Sequence, residues 1–250
     1  MIFLYLYIFL VGMVLGSFYN VVGMRVPVGQ SIVAPRSACP SCSHTLTAYE
    51  LIPVISYVMQ RGKCRSCRTA ISPLYPMVEI MTGLLFVFSF LLYGWSAEVW
   101  IAWTLVSLLV IIVVSDLSYM LIPNKILLFF LPIAMLERFL VPLPSWWDSL
   151  AGAGIGFSIL FLLAVISKGG MGGGDVKLFG LLGLFLGSEL IILAFLLSSF
   201  YGTVFGIVGL AAGHVKRSKP MPFGPFIMMG ALTSYFFGHR IIAYYFSLFQ

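Results

Sequence analysis

Charge is what this chain is shortest of. Only 9% of its 250 residues are charged, and just eight are acidic, while 61% are apolar. A typical soluble domain is about one quarter charged, so that class is excluded. Long polar stretches are equally scarce, with one sizeable example between residues 25 and 74. No positive charge precedes Arg25, which argues against a cleaved signal peptide and for an uncleaved anchor with its N-terminus outside. No His-Glu-x-x-His occurs, which disfavours a zinc metallopeptidase, and no Gly-Lys-Ser/Thr closes the glycine run near residue 170, which disfavours a phosphate loop.

What remains is a succession of apolar runs, and a bilayer core needs roughly 20 such residues per helix. The pattern predicts an all-α polytopic membrane protein with about eight spans, over residues 2–24, 75–93, 99–115, 126–141, 149–167, 176–186, 190–213 and 223–247. The sixth is too short to cross alone. Gly187-Ser188-Glu189 is the break that separates it from the seventh, and a short helix behind glycines brings backbone and a polar group to a wet cavity.

Alternating the connections between two sides gives one side Arg25, Arg36, Arg61, Lys63, Arg65, Arg68, Lys125, Lys168, Lys177, Lys216, Arg217 and Lys219. The other receives Arg138 and Arg240. By the positive-inside rule the first side is cytosolic and both termini lie outside. A seven-span count would move Lys216, Arg217 and Lys219 outward, against that asymmetry. Trp95, Trp100, Trp146 and Trp147 read as interfacial anchors on the outer side, and Gly12 with Gly16 as a close helix contact.

The polar segment holds all four cysteines, as Cys39-Pro-Ser-Cys42 and Cys64-Arg-Ser-Cys67 with 21 residues between the pairs. That spacing matches a closed tetrathiolate zinc site with a structural role. A cytosolic position makes two disulfides the weaker reading. Six basic residues against Glu50 give the loop a formal charge of +5; four thiolates around one divalent ion contribute −2, leaving +3 toward anionic headgroups. His44 is nearby and reads as a surface histidine.

Two carboxylates stand out against this background. Asp116 and Asp175 each adjoin a long apolar run on the cytosolic side, and an ionisable group at membrane depth costs roughly 2.5–3.5 kcal/mol on insertion scales. Singly, each has a structural explanation: Asp175 at a helix N-terminus, Asp116 as a charge reaching for water. Together they are a kit for activating water against a peptide bond, sharing a proton and needing no covalent intermediate. Gly172 and Gly174, with their neighbours Gly169, Gly170 and Gly173, permit positive φ and close approach of an extended substrate. Lys177 lies about 200° around a helix from Asp175 and is read as a substrate or lipid-phosphate contact. Glu79 is a further acid just inside the second span.

These residues resemble a known family, the bacterial type IV prepilin leader peptidases, membrane aspartyl proteases of the Gly-x-Gly-Asp type. The motifs are Gly16-Ser17-Phe-Tyr-Asn20 through Arg25-Val-Pro27, the paired Cys-x-x-Cys loop, Asp116 with Ile122-Pro123, Gly172-Gly-Gly174-Asp175-Val-Lys177, and Pro222-Phe223-Gly224-Pro225-Phe226. Many members carry a second acid two residues after the first; Ser118 stands there in this chain, leaving Asp116 as the first-motif candidate. The resemblance implies a multi-pass protein of the bacterial cytoplasmic membrane. It divides the chain into a first helix (1–24), a cytosolic zinc-binding, methyltransferase-associated loop (25–74) and an aspartyl peptidase domain (75–250). It implies cleavage of type IV prepilins or pseudopilins after a glycine at the cytosolic face, serving piliation, secretion or competence, and N-methylation with S-adenosylmethionine. No strand-then-glycine fingerprint for that cofactor is present. Nucleic acid is not expected as a partner. The competing class is an ion-coupled transporter built on paired intramembrane aspartates; inverted repeats would support it, and the two Asp segments do not resemble each other.

Overall fold

The computed structural model describes residues 1–167, 172–213 and 221–248. Gly169 and Gly170 of the glycine run, and the basic residues Lys168, Lys216, Arg217 and Lys219, lie outside the described residues. The chain forms helices α1 (Ile2–Arg25), α2 (Ile55–Met59), α3 (Leu74–Tyr93), α4 (Ala97–Tyr119), α5 (Asn124–Leu140), α6 (Asp148–Ile166), α7 (Gly173–Ala211) and α8 (Gly224–Ser247), with a short 3₁₀ turn at Ala48–Leu51. Six described helices are long and apolar enough to cross a membrane: α1, α3, α4, α6, α7 and α8. The 17 residues of α5 reach about 25 Å. The chain divides into two units, Met1–Val114 and Ser115–Gln250.

In the first unit, α1 and α3 meet through glycine. A Cβ on Gly12 would lie 2.8 Å from the Gly83 Cα, and one on Gly16 would lie 2.9 Å from the Glu79 Cα. Backbones this close are how helices without an aqueous hydrophobic drive gain packing energy. Several polar groups between the helices are paired: Tyr19 shares a 2.6 Å hydrogen bond with Ser107, and the Trp103 indole donates to the Phe86 carbonyl at 3.0 Å. Asn20 donates through Nδ2 to the Tyr75 carbonyl at 3.2 Å.

Between α1 and α3 the polar segment folds into two knuckles of one design. Cys39 N–H donates to His44 O and Cys64 N–H to Thr69 O, while Ser43 and Arg68, four residues after each leading cysteine, sit at positive φ. Arg25 anchors the start of the segment by donating to the Ser31 and Pro35 carbonyls.

The second unit is built on α6, α7 and α8. A straight helix of 39 residues would run to about 58 Å, nearly twice a bilayer core, and α7 is broken instead at Gly187 (φ 79°, ψ 179°). The section before the break, residues 173–186, is about 21 Å long, the short helix that Gly187-Ser-Glu189 announced. A break at membrane depth frees backbone groups that need partners. Arg138 of α5 donates from Nε and Nη2 to the Phe185 carbonyl, and Asp148 at the head of α6 accepts from the Ser188 N–H (3.2 Å) and hydroxyl. Glycine lets α6 close on the break: a Cβ on Gly152 would come 2.6 Å from the Gly187 carbonyl carbon.

Candidate active site and metal centre

α4 continues four residues past the expected end at 115, so Asp116 sits in its last turn rather than beyond it. The turn that follows is tightly held. Met120 adopts φ 52°, an uncommon conformation for a residue with a side chain; its N–H donates to the Asp116 carbonyl at 2.8 Å, and the Ser115 hydroxyl donates to the Leu121 carbonyl. The chain thereby reverses into Ile122-Pro123 and the start of α5 beside the aspartate.

The Asp116 side chain is buried, and its Oδ2 accepts the Gly224 N–H at 2.6 Å. Gly224 is the first residue of α8 and Pro225 the second. Helix N-termini present unpaired N–H groups, and Pro225 has none, so the Gly224 N–H is the donor left at that end. A Cβ on Gly224 would fall 2.8 Å from Asp116 Oδ2. The Pro222 to Phe226 motif carries the signal for this contact, since a glycine just ahead of proline at a helix start marks one exposed backbone donor, although the motif by itself names no partner.

Asp175 occupies the first turn of α7, with its N–H donating to the Gly172 carbonyl at 3.1 Å. The preceding glycines have distinct uses. A Cβ on Gly172 would lie 3.1 Å from Asp175 Oδ2, and one on Gly174 would lie 2.7 Å from the Ile122 Cβ. Gly172 leaves room for the carboxylate; Gly174 lets the head of α7 approach the turn after α4. Asp116 and Asp175 line one cleft of about 360 Å³, together with Met120, Ile122 and the backbone of glycines 172–174, and the charge of Asp116 bears on Asp175. At the rim, Lys177 Nζ donates to Asn124 Oδ1 at 3.0 Å. Asn124 follows Ile122-Pro123 directly in the sequence, with no further mark of this contact.

Glu79 belongs to the first unit and takes no part in this cleft. Its Oε2 accepts the Val54 N–H at 2.7 Å.

The four cysteines converge in the first unit, with all four Sγ atoms within 4.8 Å of one another, an arrangement suited to a metal ion. Cys39 and Cys67 are 3.7 Å apart, Cys42 and Cys64 3.9 Å. Hydrogen bonding to the Thr69 hydroxyl and N–H pulls the Cys67 thiol down to about 6, toward the thiolate that binds metal. His44 lies outside the cluster and pairs with Glu50 at 3.2 Å. The Thr47 N–H and hydroxyl and His44 hold the Glu50 carboxyl below its usual range.

The family model described as Bacterial Peptidase A24 N-terminal domain matches residues 10–93, and that of the Type IV leader peptidase family matches residues 103–207. The Prepilin leader peptidase/N-methyltransferase of Bacillus subtilis (strain 168) is 44% identical over 238 residues, covering 95% of this chain and 96% of the relative. A protein of the same name from Myxococcus xanthus is 38% identical and covers 87% of this chain and 68% of its own length; one from Aeromonas salmonicida is 34% identical and covers 96% and 93%. No solved structure matches the chain.

Proposed function

The chain belongs to the type IV leader peptidase family, and from that premise we propose that it is a membrane aspartyl endopeptidase in which Asp116 and Asp175 cut the leader from prepilins or pilin-like proteins. The observation that carries the reading is the meeting of two carboxylates, 59 positions apart in sequence, in one glycine-walled cleft at helix ends. Paired carboxylates hold one proton between them: the ionised member takes a proton from water while the protonated member donates to the scissile carbonyl oxygen. The Gly224 N–H fixes Asp116 for this work, and the bare backbone of Gly172 and Gly174 admits an extended peptide. Lys177 and Asn124 at the rim contact the polar segment of the substrate. Incubating the purified protein in detergent with a prepilin, and following release of the leader, tests the reading. Asp116→Asn and Asp175→Asn should each abolish cleavage with insertion intact, and substantial turnover by either would overturn it.

The metal is zinc, held by Cys39, Cys42, Cys64 and Cys67. Tetrahedral Zn–S bonds of about 2.3 Å place sulfurs about 3.8 Å apart, beside the 3.7 and 3.9 Å spacings of this cluster. Four thiolates leave no open position, so zinc supplies loop stability and no chemistry at the peptide bond.

N-methylation of the new terminus, with S-adenosylmethionine as donor, is proposed on the relatives' names alone. No residue is assigned to the step. The chain is a multi-pass membrane protein of the bacterial cytoplasmic membrane, with the metal loop and the Asp cleft facing the cytosol and both termini outside, on the strength of the basic residues that gather on one side. The division into a first helix (1–24), a zinc-binding loop (25–74) and a peptidase domain (75–250) belongs to the same proposal.

A further inference from the structure

The metal loop carries an exposed apolar ridge that its metal site does not explain. Tyr49 (81% exposed), Val58 (66%) and Met59 (79%) stand out from the 3₁₀ turn and α2, joined by exposed Leu51, Ile52 and Ile55. A contiguous apolar surface with a polar rim is a mark of an interaction site. The rim here is basic: Arg61, Lys63, Arg65 and Arg68 are all exposed, and Glu50, the loop's acidic residue, is turned inward onto Thr47 and His44.

Where the ridge sits decides what covers it. Val54, the residue before α2, adopts φ 61°, which a β-branched residue holds only when its surroundings enforce it. Glu79 holds this turn, its carboxylate accepting the Val54 N–H at 2.7 Å. Glu79 lies five residues into α3, about 7.5 Å along the helix axis. The start of α2 is therefore tied in at the level of the second turn of a membrane-spanning helix, whose Met77, Ile80, Met81 and Leu84 are themselves exposed. A short apolar element held at that level, with cations around it, matches the geometry of an interfacial segment, whose apolar face sinks about 5–10 Å into the headgroup boundary.

We propose that residues 49–59 form an interfacial keel: Tyr49, Ile55, Val58 and Met59 insert into the headgroup region of the bilayer while Arg61, Lys63, Arg65 and Arg68 engage anionic lipid phosphates. The keel does not depend on the peptidase reading. It fixes the metal loop against the membrane surface at a third point besides its two helical ends.

The test uses the full chain in nanodiscs of phosphatidylcholine with about one third phosphatidylglycerol. A benzophenone amino acid is placed singly at Tyr49, Val58 or Met59, with Ser66, an exposed polar position of the same loop, as the reference, and metal content confirms that each variant is folded. Lipid adducts at the three ridge positions should exceed those at Ser66 by about tenfold, given that burial depth. Arg61→Gln should lower the phosphatidylglycerol share of the Met59 adducts by about fivefold, the factor expected for one surface cation. Hydrogen exchange over residues 48–60 of the unsubstituted protein should be slower in these discs than in discs of phosphatidylcholine alone. Lipid adducts no more frequent than at Ser66, or cross-links to a second copy of the chain or to a bound substrate in their place, would overturn the proposal, as would exchange indifferent to lipid charge.

Discussion

At the scale of single residues, the cleft depends on atoms that are missing. Gly224 has no Cβ where one would sit 2.8 Å from Asp116 Oδ2, so Gly224→Ala pushes the carboxylate off its donor. Overpacking of that kind costs about 1–3 kcal/mol, and if it falls on the cleavage step it slows the reaction about 10- to 100-fold. The expectation is a lower kcat with unchanged membrane insertion, measured on a prepilin in detergent. On the proposed mechanism the two carboxylates act as one unit, so the Asp116→Asn, Asp175→Asn double variant should be no slower than either single one. Both aspartates were legible in the sequence, because an acid beside an apolar run has to be accounted for. The Asp116–Gly224 bond was not: it joins residues 108 apart, and a backbone donor leaves no side chain to read.

At the scale of elements, the break in α7 is the informative case. Gly187 and its polar neighbours were visible as an interruption in an apolar run, and the structure puts a non-helical glycine there. What holds the break together was hidden. Arg138 read as one of two basic residues on the outer side, whereas it serves the Phe185 carbonyl, and Asp148 serves the Ser188 N–H and hydroxyl. Their targets are mostly main-chain groups, and hydropathy gives no information about those. Arg138→Met strips the buried Phe185 carbonyl of its side-chain donors, at about 1–3 kcal/mol for a buried polar group left unmet, and Asp148→Leu strips half-buried Ser188 of its acceptor, toward the lower end of that range. For a chain of this size that is roughly 2–4 °C of melting temperature per kcal/mol, to be read from thermal unfolding in detergent. Asp148→Asn keeps an acceptor oxygen and should lose less. Equal losses for Asn and Leu at 148 would mean that the cap is not what stabilises the break.

For the whole molecule, the helical class and the order of spans followed from apolar runs, and the converging cysteines from their spacing. The border between the two units falls at Val114, inside α4, where unbroken apolar sequence gives no sign of it. Two measurements act at this scale. Purified protein should contain about one zinc per chain, and Cys64→Ser should lower metal content and loop stability without altering the peptide-bond chemistry. An impermeant thiol reagent applied to intact cells should modify Ser96→Cys and Ser145→Cys but reach Ser66→Cys only after lysis.

The Asp116 anchor also has a consequence in time. The carboxylate comes from α4, the third long helix to be made, and its donor from α8, the last, so a nascent chain inserts most of its spans before residue 224 has been synthesised. Until α8 docks, Asp116 lacks the N–H that fixes it, so under the proposed assignment the growing chain passes through the insertion machinery unarmed. A chain stopped after residue 213 should accordingly enter the membrane and load its metal, yet release no leader peptide, and supplying residues 221–250 as a separate segment should restore cleavage where the two pieces reassemble.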